Sequence, residues 1–424
     1  MMSDLALFGG NPVRSRPFPA WPVFDEGEET ALVELLRSGQ WWRYTMGEGV
    51  QPAAASDEPR SKVAEFQSLF AQSQGARFGI ACATGTAALE VALKAMGVGP
   101  GDEVIVPPYT FIATASAPML IGATPVFCDI DLETFNMDPR RMEEAITPRT
   151  RAVVPVHFAG LAADLGAILE IADRRGLPIL EDAAHGHGGS WQDRGLGTIG
   201  TAGTFSFQAS KNMTAGEGGL ITTHDRELAE ICESLVWVGR EAGRPWYEHH
   251  RLGWNYRLTE FQGAILIEQL KRLGQQTARR LANGLYLNRQ LATIPGIHPL
   301  RVPPYATCHT FHIYVFRFDA GEFGLTREQF LSALAAEGIP ATGGYPYPLY
   351  RNPMFLDRAL ASDYTVYPGL CPNAERACAE AVWLEHRLLL GEREDMDDIV
   401  SAVRKVRDRR GEFESSGVRT STAD

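Results

Sequence analysis

Lys211 is the residue of this chain whose surroundings best suit covalent chemistry. It follows the apolar stretch 203–207, and its neighbours Ala209, Ser210 and Asn212 are small and uncharged, so they cannot form a salt bridge with it. A lysine amine whose pKa is lowered can lose its proton and attack a carbonyl, which forms a Schiff base. A single lysine is more often a solvated surface charge, so the rest of the sequence must decide between the two.

A strand-to-helix junction at Thr84, Gly85 and Thr86 predicts an anion site. Backbone N–H groups at the start of a helix, with hydroxyl groups beside them, bind phosphate well. A helix that is capped by threonine and binds nothing would have the same sequence. Ser206 lies five residues before Lys211 and offers a further hydroxyl to the same phosphate.

An aromatic ring and a carboxylate follow two other predicted strands. Phe111 comes after the strand 103–106 and could stack on a flat ligand, although packing in the core would also explain it. Asp182 ends the apolar strand 178–182, where an unpaired charge is costly and therefore calls for a cationic partner. The protonated ring nitrogen of pyridoxal phosphate (PLP) is such a partner, and capping of a helix is the alternative role.

His185 lies three residues after Asp182 and could reach other substituents of the same ring. His185 and His187 could instead bind a metal ion. Residues two positions apart do not share a helix face, and no cysteine and histidine run in the chain has the spacing of a zinc site. We therefore expect no metal site.

The elements that must position these residues follow a repeating pattern from residue 63 onward. Short apolar runs alternate with segments of helix length, which is typical of an α/β fold with a mostly parallel sheet covered on both faces. Ligands in such folds bind beyond the carboxyl ends of the strands, where the residues above lie. The predicted strands are 78–81, 103–106, 125–129, 152–156, 178–182, 203–207 and 311–318, and the predicted helices are 25–38, 86–96, 112–121, 163–175, 258–294, 326–337 and 393–408.

Composition bounds the class of protein. The chain has 424 residues, a net charge of -12 and six cysteines without a CxxC pair. The negative charge argues against a nucleic-acid surface. The cysteines are expected to be free thiols. The first residues lack the charged and apolar pattern of a secretory signal, so we expect none, and no apolar run reaches about 18 residues. We expect a cytoplasmic protein with no membrane segment, and the lack of G-x-G-x-x-G after an early strand excludes a nicotinamide oxidoreductase.

Six segments together carry a resemblance to one protein family. They are 122–127, 155–157, 181–184, 205–207 with Lys211, 214–219 and 253–258. Through them the chain, from about residue 8 to about residue 405, resembles the DegT/DnrJ/EryC1/StrS aminotransferases, the sugar and cyclitol branch of the fold-type I PLP enzymes. Segments 39–43 and 383–387 add a similarity to members such as glutamine:scyllo-inosose aminotransferase and 3-amino-5-hydroxybenzoate synthase.

The resemblance implies the architecture of a fold-type I transferase. A large domain, 23–270, would hold a mostly parallel seven-stranded sheet between helices and would bind PLP. A smaller α+β domain, 271–410, would follow it. Residues 1–22 would form an N-terminal arm, and the polar tail 411–424 is expected to be disordered. Family members are homodimers with the active site at the interface, so a homodimer is implied.

The resemblance also implies a role for each site residue. Lys211 would form the Schiff base with PLP and then move protons, and Asp182 would pair with the ring nitrogen. Phe111 would stack on the ring, and His185, where the family often has glutamine, would donate to the phenolic oxygen. The phosphate ligands would be Thr84, Gly85, Thr86, Ser206 and, from the other subunit, Asn255. The candidates for the substrate pocket are Trp42, Arg43, His312, Tyr345 and Tyr347.

The implied reaction is a ping-pong transamination. Glutamine or glutamate would give its amino group to PLP, and a keto-cyclitol or a nucleotide-linked keto-sugar would take it up. Residues 51–61 look like an insertion relative to the family pattern. Because they follow Trp42 and Arg43, they could alter access to the site, which leaves the identity of the ketone open. An aminodehydroquinate dehydratase of the 3-amino-5-hydroxybenzoate synthase type and a PLP-binding regulatory protein are the alternatives. A branch of the family that dehydrates sugars has histidine in place of lysine, so Lys211 argues against that activity.

Overall fold

The computed structural model describes residues 4–48, 61–357 and 369–415. Residues 51–60 of the predicted insertion lie outside this part of the chain, and Ser61 caps the helix that follows. The strands are β1 Phe78–Cys82, β2 Glu103–Val106, β3 Thr124–Phe127, β4 Thr150–Val153, β5 Leu180–Asp182, β6 Ser190–Trp191, β7 Arg194–Gly195, β8 Ala202–Ser206, β9 Gly219–Thr223, β10 Ile297–Pro299, β11 Ile313–Phe318 and β12 Ala381–Glu385.

The helices follow the predicted alternation closely. They are α1 Glu26–Ser38, α2 Lys62–Gln74, α3 Gly85–Ala95, α4 Ala113–Leu120, α5 Pro139–Glu144, α6 Leu165–Arg175, α7 Arg226–Val236, α8 Glu260–Leu291, α9 Ala320–Phe323, α10 Arg327–Ala336, α11 Pro353–Leu356, α12 Pro372–Glu380, α13 Arg393–Asp408 and α14 Glu412–Ser415. Side chains of Asp164, Asp225 and Thr326 cap α6, α7 and α10 by accepting from backbone N–H groups of the first turn. None of the helices in the described ranges is both long and apolar enough to cross a membrane.

The large sheet confirms the predicted fold class. Strands β3, β2 and β4 pair in parallel, as do β5 and β8. Parallel bridges from Val153 to Ile179 and from Val156 to Asp182 join these two groups. Strand β9 runs antiparallel between β8 and β1. The described chain thus forms a mostly parallel seven-stranded sheet in the order β1-β9-β8-β5-β4-β2-β3.

Burial explains why these short strands are almost continuously apolar. Every residue of β1, β2, β5, β8 and β9 is buried, as expected for a sheet covered by helices on both faces. Because Asp182 belongs to a fully buried strand, its carboxylate can exist there only with partners. The same strand ends place Asp182 and Ser206 at one edge of the sheet.

Helix α8 connects the two halves of the molecule. It begins with a capping box between Thr259 and Gln262 and continues without a break over Glu260–Leu291. Its first half contacts α1 and α2, and it also contacts α13 and β10 of the C-terminal half. The predicted domain limit at residue 270 lies within this helix. Beyond it, the strands β10, β11 and β12 form an antiparallel sheet that shares a hydrophobic core with α10 and α13, and we call these elements the smaller unit. The predicted division into domains stays a prediction.

The N-terminal segment packs against this smaller unit. Leu5 and Phe18 are buried in its core, and the Arg14 guanidinium donates to Asp395 at 2.7 Å. The prediction of a disordered tail is wrong for residues 412–415, which form α14. Phe413 is the reason, because its ring is buried against Phe8 with centroids 5.0 Å apart. Residues 416–424 of that predicted tail lie outside the described part of the chain.

Candidate active site

A cavity of about 650 Å³ opens at the carboxyl edge of the large sheet. This is where ligands bind in open α/β folds, and most of the predicted site residues meet there. Strands β2, β5 and β8 and the start of α3 bring them together, although they are far apart in sequence. The predicted residues that line the cavity are Thr84, Gly85, Thr86, Phe111, Asp182, His185, Ser206, Lys211, His312 and Tyr345.

Lys211 has the electrostatics of a nucleophile. Its burial lowers the pKa of the amine from 10.5 to about 8, and the Asp182 carboxylate acts weakly in the opposite direction. No cation is the cause of this shift, so it depends on how well the lysine is shielded from water. At neutral pH about a tenth of the amine is therefore unprotonated, several hundred times more than in a solvated lysine.

Two ring N–H groups hold the backbone just before Lys211. The indole Nε1 of Trp21 donates to the carbonyl of Ala209 at 2.9 Å, and Nε2 of His386 lies 3.1 Å from the carbonyl of Ser210. The two rings also meet edge to face, with centroids 4.5 Å apart. The N-terminal segment and the end of β12 thus hold the same loop, and we name these two side chains the Trp21–His386 clamp. Sequence reasoning gave neither residue a site role.

Asp182 is a buried carboxylate that no cationic side chain of the described residues contacts directly. Its Oδ2 accepts from the Thr114 hydroxyl at 2.8 Å and its Oδ1 from the Ala184 N–H at 3.2 Å. Burial raises its pKa, which these two bonds and the more distant charges of Lys211 and His157 only partly offset. A positively charged ring nitrogen in the cavity would remove that penalty, so the residue fits its predicted partner. The alternative role as a helix cap fails, because no described helix begins there.

Glu181 shows what a fully satisfied carboxylate in the same strand looks like. It faces the opposite side of the sheet and accepts from N–H groups of Gly197, Ile199 and Gly200. His157 lies 2.9 Å from it. Although burial opposes the charge, these partners lower its pKa. The two adjacent acids therefore differ: the pKa of Glu181 is lowered by its partners, whereas the pKa of Asp182 stays raised. Asp182 is thus the carboxylate that a cation in the cavity would stabilise.

The start of α3 forms a cradle for an anion. Thr84 caps the helix by accepting from the Ala87 N–H at 3.0 Å, so the capping role and the cavity role coexist. The first turn contains no acidic residue that would repel an anion. Gly85 lets the Ser206 hydroxyl come close, since a Cβ on Gly85 would lie 2.6 Å from the Ser206 Cβ. Helix N–H groups and a hydroxyl therefore converge where a phosphate would bind.

His185 is fixed in one tautomer. Its Nδ1 accepts from the Ala159 N–H at 3.2 Å, so the proton of the neutral ring is on Nε2. Burial, together with the charge of Lys211, holds its pKa well below the ordinary value. The ring is therefore a neutral donor beside the cavity. Phe111 is 57% exposed, which rules out the core-packing alternative and leaves its ring free to stack on a ligand.

The remaining predicted residues do not reach the cavity within one chain. Trp42 packs on Trp237 with ring centroids 5.2 Å apart, and Arg43 donates its backbone N–H to Glu260. Tyr347 and Asn255 are exposed outside the cavity. Their roles stay predictions, and Asn255 was predicted to act on the other subunit. Sequence reasoning missed the cavity residues Thr114, Gln208, Glu217 and Trp383.

Comparison with known proteins gives one consistent result. The sequence matches the DegT/DnrJ/EryC1/StrS aminotransferase family over residues 53–404. A relative from Streptoalloteichus tenebrarius, provisionally named L-glutamine:3-amino-2,3-dideoxy-scyllo-inosose aminotransferase, is 41% identical over 96% of this chain and 98% of its own. The crystal structure of 3-amino-5-hydroxybenzoic acid synthase superposes with a TM-score of 0.82 at 36% identity, over 94% of this chain and 100% of that one.

A third comparison bears on the cofactor. A Streptococcus pneumoniae protein, provisionally named a sugar aminotransferase and solved in its PMP form, has a TM-score of 0.80 at 26% identity and covers 95% of this chain and 100% of its own. The predicted family, fold class, enzyme class and cofactor are confirmed. The chain belongs to the DegT/DnrJ/EryC1/StrS family of aminotransferases, which depend on PLP.

Proposed function

We propose that this enzyme moves the amino group of L-glutamine to the ketone of a cyclitol or sugar, in a cavity completed by a second copy of the chain. One observation supports the proposed reaction most directly. A lysine with a lowered pKa and a buried carboxylate with a raised pKa line the same cavity as the start of α3. This set of residues fits an anionic group, a flat ring with a cationic nitrogen, and a carbonyl within reach of an amine.

Each residue has a definite task in this proposal. PLP, when bound, supplies an electrophilic carbonyl and a ring that withdraws electrons. The N–H groups of α3 and the Ser206 hydroxyl would hold its phosphate. Asp182 would keep the ring nitrogen protonated, and the Nε2–H of His185 would donate to the phenolic oxygen. Phe111 would cover one face of the ring.

Lys211 performs the covalent and proton-transfer steps. With PLP bound, the unprotonated Nζ would be the group that holds the cofactor through its carbonyl carbon until the donor amino acid takes that place. Nζ of Lys211, once free again, would be the base that holds and moves the proton of the donor's α-carbon. An amine with a pKa of about 8 can both accept and return a proton near neutral pH.

The substrates are inferred from the relatives. The relative with 41% identity carries L-glutamine and an amino-inosose in its name, and the match runs over nearly the whole of both chains. The cavity is lined by Thr110, Gln208 and Tyr345, whose side chains carry a hydroxyl, an amide and a phenol. These side chains suit a polar, uncharged substrate ring. These groups can hydrogen bond to several hydroxyls of a cyclitol.

The test is a two-stage reaction of the PLP-loaded enzyme. L-glutamine should convert bound PLP to its amine form, and a keto-cyclitol or nucleotide-linked keto-sugar should convert it back, as followed by absorbance. Borohydride should link PLP to the peptide that contains Lys211. Lys211→Ala should abolish both results, whereas Lys271→Ala, on the exposed face of α8, should change neither. Turnover by Lys211→Ala, or release of an aromatic product from aminodehydroquinate by the wild type, would contradict the proposal.

The second copy of the chain has its own test. Trp246, Tyr247 and Leu252 are 73%, 73% and 87% exposed in the segment that leads to Asn255, and large exposed apolar side chains favour an interface. If Asn255 serves the partner's cavity, a mixture of inactive Asn255→Ala and inactive Lys211→Ala proteins regains activity, because one cavity of each mixed dimer has both residues. A monomer in sedimentation analysis would refute this arrangement.

A further inference from the structure

Three imidazole rings stand side by side behind Lys211. The ring centroids of His185 and His312 are 4.1 Å apart, and those of His312 and His386 are 5.6 Å apart. All three side chains are buried. His185 has its proposed place beside the cofactor ring and His386 belongs to the clamp, whereas the middle ring, His312, has only the general prediction that it lines the substrate pocket.

The hydrogen bonds around His312 determine which of its nitrogens carries the proton. The Asn212 amide nitrogen donates to the carbonyl of Thr310 at 3.1 Å. A carbonyl can only accept, so this bond fixes the orientation of the amide. The Asn212 oxygen then faces Nδ1 of His312 at 3.0 Å, and Nδ1 must be the protonated nitrogen. The neutral ring of His312 therefore presents a lone pair on Nε2.

The neighbours of His312 keep it neutral. Burial lowers its pKa well below the ordinary value, and His185, the Lys211 amine and His386 lower it further. His386 and His185 are held neutral by burial as well. At neutral pH the ring is thus an acceptor, and the adjacent His185 is a donor through its Nε2–H.

His312 stands where two cavities meet. It lines the cavity of Lys211 and also an adjoining cavity of about 660 Å³, whose walls include Trp383 and Arg387. The charge of Arg387 already has a carboxylate partner, since its Nε pairs with Glu385 at 2.5 Å, and its Nη1 donates to a backbone carbonyl. Within the described residues, Nε2 of His312 has no hydrogen-bond partner. A substrate that extends from Lys211 toward the second cavity would pass this nitrogen.

We propose that Nε2 of His312 accepts a hydrogen bond from the side-chain amide of glutamine and thereby selects glutamine over glutamate. This assignment rests on the proposed function. An amide offers N–H groups to the lone pair, whereas a carboxylate offers only lone pairs and a charge. Placing that charge beside an unprotonated imidazole leaves it without a partner in a buried site, which is costly. His312 is therefore a specificity-determining residue for the amino donor.

The experiment compares the first half-reaction of the PLP-loaded enzyme with the two amino acids. The wild type should favour glutamine over glutamate by at least about tenfold in kcat/KM, the expected effect of one hydrogen bond against a buried unpaired group. In His312→Leu the preference should fall to within about threefold, mainly because glutamine reacts more slowly. His298→Leu, which replaces a histidine on the surface of the smaller unit, should keep the wild-type ratio.

A second variant separates the tautomer from the ring itself. Asn212→Ala keeps His312 but removes the acceptor that holds the proton on Nδ1. The ring can then carry its proton on Nε2 and donate to a carboxylate, so the preference should shrink mainly because glutamate reacts faster. ¹⁵N NMR of the histidine rings, which needs no catalysis, should show His312 protonated on Nδ1 in the wild type and shifted toward Nε2 in Asn212→Ala.

The outcomes are distinct. An unchanged ratio in His312→Leu, or a wild-type ring protonated on Nε2, overturns the assignment. A wild type that converts glutamine and glutamate equally well also overturns it, while the proposed aminotransferase activity stands. If the wild type converts neither amino acid, the proposed function itself fails.

Discussion

Loosening the Trp21–His386 clamp should release the loop that carries Lys211. Trp21→Phe removes one N–H donor, which bonds to the Ala209 carbonyl at 2.9 Å, and keeps an aromatic ring. Ala209 is exposed, so water can replace part of that bond, and the loss should be about 1 kcal/mol. Trp21→Ala also removes the edge-to-face contact with His386 and the contact with the Arg280 guanidinium, 5.4 Å from the ring. These add roughly 1–2 kcal/mol.

Hydrogen exchange measures this loss directly in the protein without cofactor. Local opening of the loop that includes 208–216 sets the exchange rate of its amides. A loss of 1 kcal/mol corresponds to about fivefold faster exchange, so Trp21→Phe should give about fivefold and Trp21→Ala about thirtyfold or more. Amides of the distant helix α13 should exchange at the wild-type rate in both variants.

His386→Phe completes the comparison. It removes the donor to the Ser210 carbonyl and keeps an aromatic ring against Trp21. Because the two rings touch, the effects of Trp21→Ala and His386→Phe should not add. Equal exchange rates in wild type and Trp21→Ala, or full additivity of the two changes, would refute the clamp.

Three further predictions follow from the cavity. Lys211 in the protein without cofactor should react with an acylating reagent with a midpoint near its pKa of about 8. Asp182→Asn should move that midpoint lower, because the carboxylate raises the pKa of the lysine. The same Asp182→Asn change should leave PLP bound but slow turnover by about a hundredfold or more, since a neutral amide does not hold the ring nitrogen protonated. Gly85→Ala should weaken PLP binding by about tenfold or more, as a dissociation constant measured by cofactor fluorescence will show, because the new Cβ would lie 2.6 Å from the Ser206 Cβ.

The reactive half of the site was predictable from sequence for a physical reason. Asp182, Ser206 and the junction at Thr84 each follow a short apolar run, and parallel strands bring their carboxyl ends to one edge. The position of these residues directly after predicted strands therefore implied that they lie close together in the folded protein. Lys211 was recognisable for the same reason, because its loop begins where β8 ends.

The part of the site that depends on distant contacts was not predictable in this way. Trp21 and His386 are 188 and 176 residues from the carbonyls that they bind, and no periodic pattern links them to the loop. The antiparallel strand β9 was missed because it begins at Gly219, within the glycine-rich segment that follows Lys211. The helix at 412–415 was missed because one buried ring, Phe413, accounts for its order within a polar segment.

The origin of the lowered pKa of Lys211 connects these two halves of the site. Burial is the cause that lowers it, and no cationic neighbour contributes. The reactivity of the Lys211 amine thus depends on how well its loop shields it from water. The Trp21–His386 clamp helps to hold that loop in place. Trp21→Ala should therefore raise the midpoint of Lys211 acylation from about 8 toward its ordinary value of 10.5, with a smaller rise in Trp21→Phe. If the loop exchanges faster in Trp21→Ala while the midpoint stays at about 8, shielding by the loop is not what sets this pKa.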